Sequence, residues 1–207
     1  MKHLHSLLLV LFACSVLSVR TLAANPFLFA ANDKPVSVKF HGTEWNDEYG
    51  QKEFPLSAKV VTTRVAQSSW GAIFKITFED ISSKLDPKRE LRPVYYIATD
   101  DEIVLLNEQD NEAAAKKLAA QEKPPTFEPG DVQGISKGTR KSSDKLTETS
   151  IFAKGNRSTY QWSHNSGHFT TIVWQKGLGL IEYAQGYGAH KDGYHLKRVS
   201  NPAKGDR

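Results

Sequence analysis

Ser158-Thr159-Tyr160-Gln161-Trp162-Ser163-His164-Asn165-Ser166-Gly167-His168-Phe169-Thr170-Thr171-Ile172-Val173-Trp174 reads as two strands around a three-residue turn. Asn165-Ser166-Gly167 fits a type I turn closed by glycine in the left-handed region, a favoured hairpin connection. Such a turn sets the register. His164 opposes His168, Trp162 opposes Thr170, Tyr160 opposes Ile172 and Ser158 opposes Trp174. Side chains alternate along a strand, so His164, Trp162, Tyr160, His168, Ile172 and Trp174 share one face. Downstream, Lys176-Gly177 reads as a two-residue loop that pairs Trp174 with Gly179, Ile172 with Ile181 and Thr170 with Tyr183. A glycine opposite a tryptophan leaves the indole room to lie across the strand. The other face carries Phe169, Val173, Leu178 and Leu180, so both faces need cover. Gly186–Ala189 then leads to a last strand, Tyr194–Val199.

The same period of two runs through the first half of the chain. Val36, Val38 and Phe40 alternate with polar residues, and Lys59–Val65 is rich in β-branched side chains. After the turn Ala66–Ser69, the residues Trp70, Ala72, Phe74, Ile76 and Phe78 alternate, which makes a hairpin. Val94–Ala98 and Glu102–Leu106, joined by Thr99-Asp100-Asp101, make a second. One helix is expected near 108–122. Asn107 caps it, acidic residues occupy its early turns, alanines form its apolar face and Pro124-Pro125 ends it. Residues 124–150, with three glycines and many hydroxyls, read as a long mobile loop. The expected fold is mainly β: a curved antiparallel sheet, sandwich or open barrel with one α-helix packed on it.

The N-terminus carries a short polar start, the apolar run Leu7–Ala13 and small residues at Thr21-Leu22-Ala23-Ala24. That is the pattern of a secretory signal peptide over residues 1–23, leaving a single domain over 24–207. The apolar run is shorter than the ~20 residues that a spanning helix needs, so no transmembrane span is expected in the mature chain. Leu11-Phe12-Ala13-Cys14 loosely follows the bacterial lipoprotein pattern, and a lipid anchor at Cys14 is the alternative. The expected location is the periplasm, cell envelope or extracellular space. Cys14 is the only cysteine, so cleavage after Ala23 leaves no disulfide, thiol nucleophile or cysteine metal site. The chain has 27 Lys+Arg against 23 Asp+Glu. Without Lys2 and Arg20 the balance is 25 against 23, or +2, which is no footprint for nucleic acid.

Several residues could carry function. His164 and His168, side by side on neighbouring strands, have the spacing to share a divalent metal such as zinc, with His190, Asp192, His195 and His41 as candidates for the third ligand. That arrangement is the basis for a metal-dependent hydrolase. Tyr160, Trp162, Trp174, Tyr183 and Tyr187 could stack on a ligand. The basic residues Lys137, Arg140, Lys141 and Lys145 could grip a partner, as in a structural or inhibitory module. No nucleophile elbow, H-E-x-x-H or phosphate-binding glycine motif occurs. The segment Trp174-x-x-Gly177-x-Gly179-Leu180-x-x-Tyr183 resembles the last hairpin of exported bacterial β-rich proteins of unknown function. The resemblance implies sheet topology and an envelope setting, and it brings no catalytic residues. The preferred expectation is a non-enzymatic exported protein that binds a small molecule or envelope component on a curved sheet.

Overall fold

The computed structural model describes residues 25, 27, 34–50, 52–106, 112–188 and 191–200. The signal pattern, Cys14, Asn107 and His190 lie outside the described residues. In chain order the elements are β1 (Val36–Trp45), β2 (Phe54–Gln67), β3 (Ala72–Ser83), β4 (Val94–Ala98), β5 (Glu102–Leu105) and α1 (Glu112–Ala119). They continue with β6 (Val132–Ile135), β7 (Thr139–Ser143), β8 (Thr147–Lys154), β9 (Arg157–His164), β10 (Phe169–Gln175), β11 (Gly179–Tyr187) and β12 (Asp192–Arg198).

All twelve strands form one antiparallel sheet in the order β6-β5-β4-β3-β2-β1-β12-β11-β10-β9-β8-β7. Its two edge strands, β6 and β7, are consecutive in sequence, separated by Ser136, Lys137 and Gly138. Laid flat at about 4.8 Å per strand, the edges would stand ~50 Å apart. The short link spans about 14 Å at most. The sheet therefore has to curl, and it forms a half-barrel. Among the described residues, no helix is long and apolar enough to cross a membrane.

The curl brings β6 against β8, β9 and β10. Side chains, not a neighbouring strand, complete its backbone hydrogen bonds there. The Trp174 indole N–H donates to the Gln133 carbonyl at 2.9 Å, and the Ile135 N–H donates to Ser158 Oγ at 2.9 Å. Trp174 and Ser158 are direct cross-strand partners, so one pair of neighbours clasps the edge. Gly134 makes the contact possible, since a Cβ there would sit 3.1 Å from the Trp174 ring. Residues 124–150, read from the sequence as a loop, thus hold β6, β7 and the start of β8. Val132–Ile135 is too short to show a period, and its stabilising partners lie about 25–40 residues downstream.

The turn at Asn165-Ser166-Gly167 forms as expected. Gly167 has φ 85°, and His164 and His168 pair through the His164 N–H and the His168 carbonyl at 2.9 Å. The following turn differs from the expectation. Lys176, Gly177 and Leu178 form a three-residue loop, with Gly177 and Gly179 both in the left-handed region (φ 73° and 77°). Gln175 then pairs with Gly179 and Trp174 with Leu180, and the register shifts again before Glu182. Ile172 accordingly faces Tyr183, and Thr170 faces Gln185. Glycines do lie opposite large aromatics, but elsewhere: Gly186 opposite Phe169 and Gly193 opposite Trp45. A Cβ on either would fall within 2.3 Å of the facing ring.

Phe40, Ile76, Ile172, Trp174 and Leu196 are fully buried on the inner face. Phe74 and Phe78 join them, as the alternation predicts, but Trp70 lies before β3 and is only partly buried, and Ile73 on the other face is fully buried. Helix α1 packs its Ala115 and Ala119 against β2 and β3, where small side chains permit close approach.

Candidate functional site

Strand β11 presents Tyr183, Gln185 and Tyr187 on one face, two residues apart, and Tyr194 of β12 lies opposite Gln185. Together with Phe78, Tyr96, Ile172, Leu105 and Leu106 they line a cavity of about 690 Å³. The link between β3 and β4 closes one side through Arg89, Glu90, Leu91, Arg92 and Pro93. The walls are largely aromatic and aliphatic. Phe78 packs on Tyr183 at 5.4 Å between ring centroids, and Tyr183 on Tyr194 at 6.1 Å.

Polar groups converge on one carboxamide. Gln185 Oε1 accepts from the Tyr187 hydroxyl at 2.6 Å and the Tyr194 hydroxyl at 2.9 Å, and its Nε2 donates to the Tyr183 oxygen at 3.0 Å. Across the cavity, the Tyr96 hydroxyl donates to Gln133 Oε1 at 3.1 Å. Burial pushes the Tyr96 and Tyr194 hydroxyls well above the ordinary tyrosine range, with nearby tyrosines adding to it. Burial likewise moves Tyr160 up to about 12, against the opposing effect of its hydrogen bond to Gln133. These hydroxyls therefore keep their protons at neutral pH.

The link that forms the cavity wall is anchored by a buried carboxylate. Glu44, with no exposed side-chain surface, accepts from Ser83 Oγ at 2.7 and 2.8 Å and from the Lys84 and Leu85 N–H groups at 2.9 and 3.1 Å. Arg89 Nε stands 3.0 Å from Glu44 Oε2, an ion pair outside hydrogen-bond geometry. The guanidinium that lines the cavity is thus partly neutralised from behind.

The sequence candidates divide. Tyr183 and Tyr187 line the cavity. Trp174 has no exposed surface and serves the β6 clasp, with its ring edge-on to Tyr96. Tyr160 is buried in the core at 5 % exposure. Trp162 lines a separate shallow groove between β7 and β10 and lies against His164. Gln185, Tyr194, Gln133, Arg89 and Glu44 were not among the sequence candidates. The alternation Tyr183-x-Gln185-x-Tyr187 was the available signal for the first of these.

His164 and His168 are together, with ring centroids 6.2 Å apart and His168 against Tyr187. The Ser166 N–H donates to His164 Nδ1 at 3.0 Å, so that nitrogen carries no proton. Ser166 Oγ, 2.6 Å away, must then donate to it as well, and it accepts from His168 Nδ1–H at 2.6 Å. Both Nδ1 atoms are engaged in bracing the turn. Among the described residues, no group of three or more His, Cys, Asp or Glu could hold a metal ion. The basic residues read as a partner grip fall on or beside edge strand β7, where Arg140 pairs with Glu102 of β5.

No family model matches the chain, and no curated protein matches it.

Proposed function

We propose that the protein is an exported, non-enzymatic binding protein that holds a small amphipathic molecule inside the half-barrel. The observation that carries this reading is the cavity itself. It has the size of small-molecule sites, and its aromatic and aliphatic walls also carry polar and charged groups, Gln185, Arg89, Glu90 and Arg92 among them. The signal pattern over residues 1–23 supplies the exported setting. The mature chain, recovered outside the cytoplasm and beginning near Ala24 by intact mass, is expected to bind the neutral apolar dye Nile red saturably. Thr170→Trp, which fills the cavity from a half-buried position on β10, is expected to abolish that binding while keeping the wild-type circular dichroism spectrum and Tm. Equal binding by the two proteins, or none by the wild type, overturns the reading.

A further inference from the structure

The outer face of the sheet, turned away from the cavity, carries side chains that the core does not use. Register places Trp45, Gly193, Gly186 and Phe169 in one cross-strand row over β1, β12, β11 and β10, and the row runs on through Ser163 and Glu148. Six strands at about 4.8 Å spacing make it about 24 Å long. Neither Trp45 nor Phe169 belongs to the core cluster. Their ring planes lie within 8° of parallel, with centroids 6.3 Å apart, and each ring occupies the space over its own glycine. Glycine inside a strand weakens it and marks a close approach. Two strand positions are thus given up to seat two rings on a face that has no core to fill.

Phe169 also lines the shallow groove of about 600 Å³ between β7 and β10. Ser143, Ser150, Gln161, Ser163 and Thr171 line it too, and none of these five side chains is hydrogen-bonded to another described residue. Each hydroxyl or carboxamide among them can both donate and accept. The charged groups in the lining are one cation, Lys141, and one anion, Glu148, so the groove offers a polyanion no net attraction. Protein interfaces are depleted in Ser, Lys and Glu, which make up much of this lining. A neutral polyol, in contrast, meets donors and acceptors together, and its C–H faces pack on aromatic rings. We infer that the outer face binds a neutral linear oligosaccharide laid across the strands, with sugar rings against Phe169 and its neighbour Trp45 and hydroxyls in the groove. The site is separate from the cavity, and the inference does not rest on the binding reading above.

Isothermal titration calorimetry with cellohexaose, chitohexaose and maltohexaose tests it, with heparin as the polyanion. At least one hexasaccharide is expected to bind saturably and more tightly than heparin. Gln161→Ala removes an exposed side chain that has no hydrogen bond to lose. It is expected to weaken that hexasaccharide about three- to tenfold at an unchanged Tm. Phe169→Ala is expected to weaken it about tenfold, the scale of one aromatic contact. If Phe169→Ala fails to fold, Gln161→Ala alone decides. Binding of none of the three sugars overturns the inference, and so does heparin binding as tightly as the best of them. A Gln161→Ala variant that binds like the wild type places the sugar elsewhere and overturns it as well.

Discussion

Glu44 is the residue on which the cavity wall depends. A carboxylate without solvent is tolerated only where hydrogen bonds and a counter-charge surround it. Here one hydroxyl, two backbone N–H groups and one guanidinium do so, and all four come from residues 83–89. Removing the carboxylate leaves those N–H groups and Arg89 without it. Glu44→Ala is expected to destabilise the domain by about 3–5 kcal/mol in urea denaturation, the cost of breaking a buried pair from one side. Glu44→Gln keeps the shape and some hydrogen bonds and should lose less. If Glu44→Ala lost under about 1 kcal/mol, residues 83–93 would be held by something other than this carboxylate. Glu44 was not legible as an anchor. Its sequence neighbours are those of an ordinary polar loop, and its partners lie 39–45 residues away.

At the scale of elements, the strand that most affects the fold is β6, one of the two shortest at four residues. A sheet edge with unpaired N–H and C=O groups is a site for aggregation, and natural sheets cover or charge such edges. The two edges here are treated differently. Edge strand β7, Thr139-Arg140-Lys141-Ser142-Ser143, is exposed and basic, whereas β6 is buried throughout and clasped by Ser158 and Trp174. Ser158→Ala deletes one oxygen from a fully buried position and strands the Ile135 N–H. The expected loss is about 1–3 kcal/mol, the cost of an unsatisfied buried donor. Amide hydrogen exchange should localise the change, with faster exchange at residues 132–135 than in β2 or β3. Uniform acceleration across the sheet would mean that the clasp does not act locally. Hairpins were the legible elements, because turn residues and flanking alternation sit together in the sequence. The β10–β11 turn shows where this fails, since two glycines there permit either a two- or a three-residue loop.

Considered whole, the half-barrel keeps the Tyr96, Tyr160 and Tyr194 hydroxyls away from water, and this gives it a characteristic response to alkali. Burial raises Tyr96, Tyr160 (to about 12) and Tyr194. Each acts in the same direction. The folded state holds a proton that the unfolded chain releases near ~10, so the stabilisation is complete below that pH and declines as pH rises through the folded values. Absorbance from these three tyrosinates is expected to rise only above the ~10 of a free tyrosine. The buried three should then ionise together with loss of the β-sheet circular dichroism signal. Independent, reversible ionisation of all tyrosines near ~10 with the sheet intact would show that these hydroxyls reach solvent.

The sequence by itself determined the local grammar of this protein: the alternating strands, the glycine-closed turn that pairs His164 with His168, and the aromatic faces. Those features follow from the period of two and from turn chemistry, which act over a few residues. It also placed Tyr183 and Tyr187 among the ligand candidates. Only the tertiary structure decided that Trp174 closes the half-barrel while Tyr183 lines its cavity, although the two stand nine residues apart on adjacent strands. Their roles were set by the unpaired register before Glu182 and by the three-residue link from β6 to β7. That link curls a twelve-strand sheet until its edge meets the indole, and such closure is a property of the whole strand order rather than of any segment.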